Sequence, residues 1–139
     1  MNHEKITISA HISADSQKVW DLYTLPEHIM KWNFADPSWH CPSASNDLTV
    51  GGRYVARMEA KDSIFGFDFE AIYTEITPGS TFTYEFGGRL ASVVITELGN
   101  GTDICLSFDP EIENPIELQR NGWQAILNNF KNYVEQSEK

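Results

Sequence analysis

The residues best equipped for chemistry in this chain are aromatic. It holds 4 Trp, 5 Tyr and 8 Phe, and the rings from Phe65 to Phe86 recur at alternating positions along two segments. Rings are bulky and irregular, so a face built from them either packs into a core or lines a cavity that takes an apolar guest. Tyr73 and Tyr84 add hydroxyls. A buried hydroxyl needs a partner, either a ligand's polar group or a neighbouring carbonyl. Groups for bond-making chemistry are sparser. His3, His11, His28 and His40 are dispersed. His40 and Cys41 are adjacent, and neighbours on an extended segment point apart, so they form no Cys–His pair. Asp68 and Glu70 alternate with Phe67 and Phe69 and therefore face solvent. Arg53, Arg57 and Glu59 share an outward face, where ion pairs contribute little. Arg89 follows a turn, from which it could reach a cavity mouth and hold a ligand carboxylate. No G-x-S-x-G, P-loop, H-E-x-x-H or G-x-G-x-x-G is present. No catalytic residue, metal or cofactor is expected.

The length of 139 residues is that of one domain, assigned here to 1–139. A chain of this size buries ~68% of its unfolded surface and can fold without disulfides or metal. Hydrophobic residues are 41% and charged residues 22% of the chain, an ordinary globular composition. The formal charge of −10 argues against nucleic acid and anionic membrane surfaces, which need clustered cations. No Lys or Arg lies between Arg89 and Arg120, while Glu97, Asp103, Asp109, Glu111, Glu113 and Glu117 do. This stretch reads as a solvated acidic face, or else as a docking face for a basic partner. The two cysteines, Cys41 and Cys105, have neither CxxC nor zinc spacing. Cys105 sits in an apolar run and reads as a small core residue. No apolar run is long enough for a membrane span, and Met1 to Lys5 lacks the basic start of an export signal, so the cytoplasm is the expected compartment.

Elements that would position these residues follow from periodicity. Ile6, Ile8, Ala10 and Ile12 alternate with polar residues, as in a half-buried strand. Asp15 or Ser16 can cap a helix carrying Val19, Trp20, Leu22 and Tyr23. Pro26 ends it and opens a second short helix. From Lys31 to Asp47 no period holds, and Trp32, Phe34 and Trp39 fall in what reads as a long loop. Strands follow. One places Tyr54, Ala56 and Met58 on a common face, and the next so places Phe65, Phe67, Phe69, Ala71 and Tyr73. A third carries Phe82, Tyr84 and Phe86. Turns are expected at Lys61-Asp62-Ser63, Pro78-Gly79 and Gly87-Gly88, and Gly99-Asn100-Gly101 joins a last hairpin. Asn114-Pro115-Ile116-Glu117 reads as a capping box. It opens a helix running to about Gln136, with Trp123, Ile126, Leu127, Phe130 and Val134 as its apolar stripe. Gly122 inside it suggests close packing or room for a ligand. The plan is α+β: an antiparallel sheet of six or seven strands that curves around a long C-terminal helix, with two short helices after the first strand.

The order Ile12-x-Ala14, Val19-Trp20, Pro26-Glu27-His28-x-x-x-Trp32 and Val50-Gly51-Gly52-Arg53-Tyr54 resembles the START-like (SRPBCC, helix-grip) superfamily. The stretch Phe69-Glu70-Ala71-Ile72-Tyr73-Thr74-Glu75-Ile76-Thr77-Pro78 resembles a motif of its branch named for the activator of the heat-shock-protein-90 ATPase. Gly122-Trp123 with Leu127 is similar to that branch's C-terminal helix. The resemblance implies a helix-grip fold with a cavity between sheet and helix. It also implies a hydrophobic small molecule, such as a lipid, polyketide or flavonoid-like compound, as ligand. Ala71 stands where the branch usually has Gly. The expected walls are Phe67, Phe69, Tyr73, Phe82 and Tyr84, the floor Trp123, Ile126, Leu127 and Phe130, and the lid Trp32, Phe34 and Trp39. A cyclase- or hydrolase-like enzyme using the same cavity is an alternative. So is a co-chaperone-like module, whose protein partner would be a chaperone or a second copy of the chain.

Overall fold

Alternation in the opening stretch is what a strand with one face on a core requires, and Ile6–Ile12 forms β1. The computed structural model describes residues 5–62 and 65–137. Helix α1 covers Ser16–Thr24, with Asp15 as its cap: the carboxylate accepts from the Lys18 backbone N–H at 2.8 Å. Helix α2 covers Pro26–Trp32, with Pro at its first turn. Six further strands follow, β2 (Trp39–Asn46), β3 (Arg53–Ala60), β4 (Gly66–Thr77), β5 (Thr81–Phe86), β6 (Arg89–Leu98) and β7 (Gly101–Phe108), and then helix α3 (Ile116–Gln136). The sheet order is β1-β7-β6-β5-β4-β3-β2, with antiparallel neighbours throughout. This curled seven-stranded sheet and its long helix form the helix-grip arrangement.

The turns behave as their residues require. Gly87 and Gly88 both have positive φ, 59° and 81°, as a two-residue type I′ hairpin demands. Gly79 has φ 80°, and the Ser80 N–H donates to the Thr77 carbonyl at 3.0 Å, closing the turn at Pro78. Of the turn expected at Lys61-Asp62-Ser63, Ser63 lies outside the described residues, as does His3.

Three expectations need correction. The segment read as a loop from Lys31 to Asp47 contains β2. Its period is hidden by Pro42, which an edge strand tolerates, and by an irregularity that shifts register between His40 and Ser43. The capping box does not form. Asn114 Nδ2 donates to Glu111 Oε1 at 2.6 Å, and the helix starts after Pro115 with no side-chain cap. Cys105 is half-exposed on the outer face, and it is Cys41 that is buried. The acidic stretch is largely exposed, as expected, with Glu97, Asp103, Glu113 and Glu117 at the surface, and it also makes local contacts. Glu97 accepts from Ser16 N–H at 2.7 Å, Asp103 meets His11 at 2.8 Å, and Asp109 binds Lys5 at 2.6 Å.

The core divides along the sheet. Under β1, β6 and β7 it is mostly aliphatic, with Ile6, Ile8, Val93, Ile95, Ile104 and Leu106 buried. Helix α3 lies over β1 and against α1 and α2, burying Leu127, Phe130 and Val134. A helix is only ~10–12 Å across with its side chains, so one placed there cannot also cover β3, β4 and β5. Those strands carry the aromatic face, and part of the space beneath it stays open.

Candidate functional site: a cavity under the aromatic strands

Between that aromatic face and α3 lies a cavity of about 270 Å³. Its walls are Tyr54 and Met58 from β3, Phe67 and Phe69 from β4, and Tyr84 and Phe86 from β5. Trp123, Ile126 and Leu127 from α3 form the floor. Tyr23, Trp32 and Asn33, from α1 and the end of α2, close one end. Trp123 is held by stacking on Phe108 of β7, ring centres 3.8 Å apart and planes within 12°. Trp32 is held by its indole N–H, which donates to the Leu22 carbonyl at 2.9 Å, and by stacking on Tyr23 at 4.9 Å. No neighbouring atom lies within 4 Å of a Cβ placed on Gly122, so that glycine marks neither close packing nor a cavity wall.

Exposure gives the direction of the mouth. Along the inward face of β4 it rises from 1% at Tyr73 to 47% at Phe67, an inward-facing ring left half in solvent. The mouth is therefore at the start of β4. Arg89, Glu111 and Gln119 belong to the lining as well. The Arg89 guanidinium sits over the Phe86 ring, 4.6 Å from its centre, and makes no ion pair with a described residue. Gln119 organises the 109–115 segment. Its Nε2 donates to the carbonyls of Glu111 (3.1 Å) and Asn114 (2.8 Å), and its Oε1 accepts from the Glu111 N–H at 2.9 Å.

The closed end is polar in an unusual way. Tyr73 donates to Asn46 Oδ1 at 2.8 Å, which spends its proton in tying β4 to β2. Tyr54 accepts from Asn33 Nδ2 at 3.2 Å and keeps its own proton for another partner. Tyr23 and Tyr84 make no hydrogen bond to a described residue, although only 8% and 6% of each is exposed. No fully buried side-chain nitrogen or oxygen among the described residues lacks a partner. Both hydroxyls therefore retain contact with open space, and the cavity that both residues line supplies it. Burial pushes the Tyr23, Tyr54 and Tyr84 hydroxyls well above the usual tyrosine range, and repulsion among the neighbouring phenols adds to this. They stay protonated and act as donors throughout the physiological range.

Of the residues expected at the site, Trp32, Phe67, Phe69, Tyr84, Trp123, Ile126 and Leu127 line the cavity. Five do not. Tyr73 and Phe82 lie one layer deeper, ring centres 5.4 Å apart, with Trp20 closing over Phe82 at 6.0 Å. Phe130 fills the gap between Tyr23 and Trp32, 4.9 Å from each. Trp39 packs edge-on against Phe65 and Phe67 outside the cavity, and Phe34 borders a separate shallow hollow with Asn128 and Asn129. No lid of Trp32, Phe34 and Trp39 is therefore assembled. Sequence periodicity missed Tyr23, Asn33, Glu111 and Gln119, which no strand pattern could have placed here. It put Tyr54, Met58 and Phe86 on the correct face without marking them as lining. The outward ion pairs form as expected, with Arg57 at 2.8 Å from Glu59 and 3.3 Å from Asp68. Among the described residues no cluster of His, Cys, Asp or Glu is placed to hold a metal, and no helix is long and apolar enough to cross a membrane.

A curled sheet gripping a helix over an aromatic-lined cavity defines a helix-grip pocket protein as the class. The chain belongs to the family described as Activator of Hsp90 ATPase homolog 1-like protein, which it matches over residues 13–135. Solved structures agree. An AHSA1-like protein from Aeromonas hydrophila is 37% identical, with a TM-score of 0.92 over 96% of this chain and 94% of that one. The Chr148 protein from Cytophaga hutchinsonii is 46% identical, with a TM-score of 0.82 over the same shares. No curated protein matches the chain. Membership supports a ligand-binding or co-chaperone-like module in general.

Proposed function

We propose that the chain binds a compact hydrophobic molecule in the cavity between the aromatic strands and α3. The observation that carries this is the unfilled space itself, about 270 Å³ with mostly apolar walls. That is some nine waters' worth at ~30 Å³ each. It suits a guest of one or two rings, or a short acyl chain, and is too small for a two-chain lipid. A two-ring guest buries ~200 Å², about as much as a large aromatic side chain. At ~25 cal/mol per Å² this contributes ~5 kcal/mol. Taken alone that corresponds to a sub-millimolar Kd, before the cost of association is subtracted. Tighter binding must come from polar groups in the lining. Arg89, at the mouth and in no ion pair with a described residue, is suited to an anionic group on the outward end of the guest.

Denaturing mass spectrometry of freshly purified protein should release a small apolar compound, and one- and two-ring compounds should raise the melting temperature. At one hundred times Kd the gain is ~2.7 kcal/mol. Ile126→Trp, which fills the cavity from the helix side, should abolish the rise while the protein stays folded. If the wild-type chain carries no compound and no apolar probe shifts its melting, the proposal fails.

A further inference from the structure

The closed end of the cavity presents hydroxyl donors that no described residue receives. We propose that this end is a subsite for an uncharged acceptor oxygen, a ketone, quinone or lactone carbonyl, held by the Tyr84 and Tyr23 hydroxyls with Tyr54 beside them. The inference rests on the cavity being a binding site and adds the chemistry of the guest's inner end.

Three observations carry it. Tyr23 and Tyr84 are more than nine-tenths buried, line the cavity, and donate to no described residue. With no described protein partner, these hydroxyls are satisfied only by what enters the cavity, water or the polar group of a guest. The Tyr54 hydroxyl is already an acceptor for Asn33 Nδ2, so its own proton also points to an acceptor. Among the described residues no Lys or His lines the cavity, and the one Arg that does, Arg89, is at the start of β6, over Phe86. A carboxylate at the closed end would have no cation to balance it, whereas a carbonyl oxygen needs only the donors. Two phenol donors can together fill both lone pairs of a carbonyl. The rings of Tyr54 and Tyr84 are neighbours, 5.6 Å apart at their centres, and Tyr23 lines the same cavity.

The test compares α-tetralone with tetralin, two fused-ring compounds of nearly the same shape that differ by the carbonyl. In a purely apolar cavity the hydrocarbon binds more tightly, because it gains more on leaving water. Here the ketone should bind about tenfold more tightly in a chemical-shift titration of the labelled protein. Tyr84→Phe and Tyr23→Phe each remove one oxygen and no bulk. Each should reduce the preference, and the double variant should reverse it. Equal or tighter binding of tetralin to the wild type overturns the subsite and leaves the pocket standing, as does a preference that survives the double substitution. Failure of both compounds to bind overturns the pocket, and the subsite with it.

Discussion

Gln119 is a single side chain on which the geometry of the cavity mouth depends. It is buried in the first turn of α3, where it makes three hydrogen bonds to the main chain of Glu111 and Asn114. Truncation in Gln119→Ala removes all three, ~3 kcal/mol at ~1 kcal/mol net each. Two terms oppose the loss. The freed side chain returns ~1.5–2 kcal/mol of rotamer entropy, and alanine favours the helix by a few tenths. Water also reaches the released groups, because the 109–115 segment lies largely at the surface. The net cost to global stability should be ~1 kcal/mol, or ~3–4 °C in Tm. The local effect should be larger in proportion: the Glu111 amide loses its acceptor and should exchange with solvent much faster. Gln119→Glu separates donation from acceptance, since the carboxylate can still accept from the Glu111 N–H but cannot donate to either carbonyl. Urea unfolding measures the global term and amide hydrogen exchange the local one. Unchanged protection of the Glu111 amide in Gln119→Ala would refute the claim that this side chain holds the mouth in place.

Three further expectations can be checked independently. Burial pushes the Cys41 thiol up to about 11, which leaves little of it as thiolate at pH 8. Alkylation of the native protein should therefore modify half-exposed Cys105 and spare Cys41, and Cys105→Ser should remove the fast-reacting thiol. A Cβ on Gly52 would fall on the Asp47 carbonyl oxygen and within 2.9 Å of the Thr49 carbonyl, whereas one on Gly51 meets nothing within 4 Å. Gly52→Ala should cost ~2–4 kcal/mol by forcing the main chain to move. Gly51→Ala should cost only the ~1–2 kcal/mol of its positive φ, and equal losses in urea unfolding would contradict this account. Hydrogen bonds from Lys5 and from the Leu90 N–H hold the Asp109 carboxyl below the usual carboxylate range. A depressed carboxylate stabilises the fold above its unfolded pKa of ~3.9 and stops doing so as pH falls through its folded value. Melting temperature should accordingly drop on acidification below about pH 4, and Asp109→Asn should make that drop shallower.

Much of the architecture was written locally. The turn glycines, the Asp15 cap, Pro26 at the start of α2 and the stripe of α3 each act within a few residues, and the chain shows them without reference to anything distant. Edge strand β2 was illegible because Pro42 and a register shift break its period, and only pairing with β3 gives it its shape. Cys105 was misplaced because strand β7 alternates as Ile104, Cys105, Leu106, and an apolar run does not by itself say which side faces inward. Pairing opposite Val94 and Ser9 puts the thiol on the outer face.

For the cavity the division is sharper. Period two assigns rings to a face but carries no measure of depth along the strand, so Tyr73, Phe82, Tyr84 and Phe86 look alike in sequence. In the folded chain the first two are sealed beneath α1 and the second two border open space. What separates them is the position of α3 over β1 and the packing of α1 and α2 at one end, contacts made between segments far apart in the chain. Residue types and alternation by themselves determined that this protein would carry an aromatic, concave sheet and a helix to oppose it. Only the long-range placement of that helix decided that the two surfaces would not meet everywhere, and so which rings and hydroxyls are left without a partner.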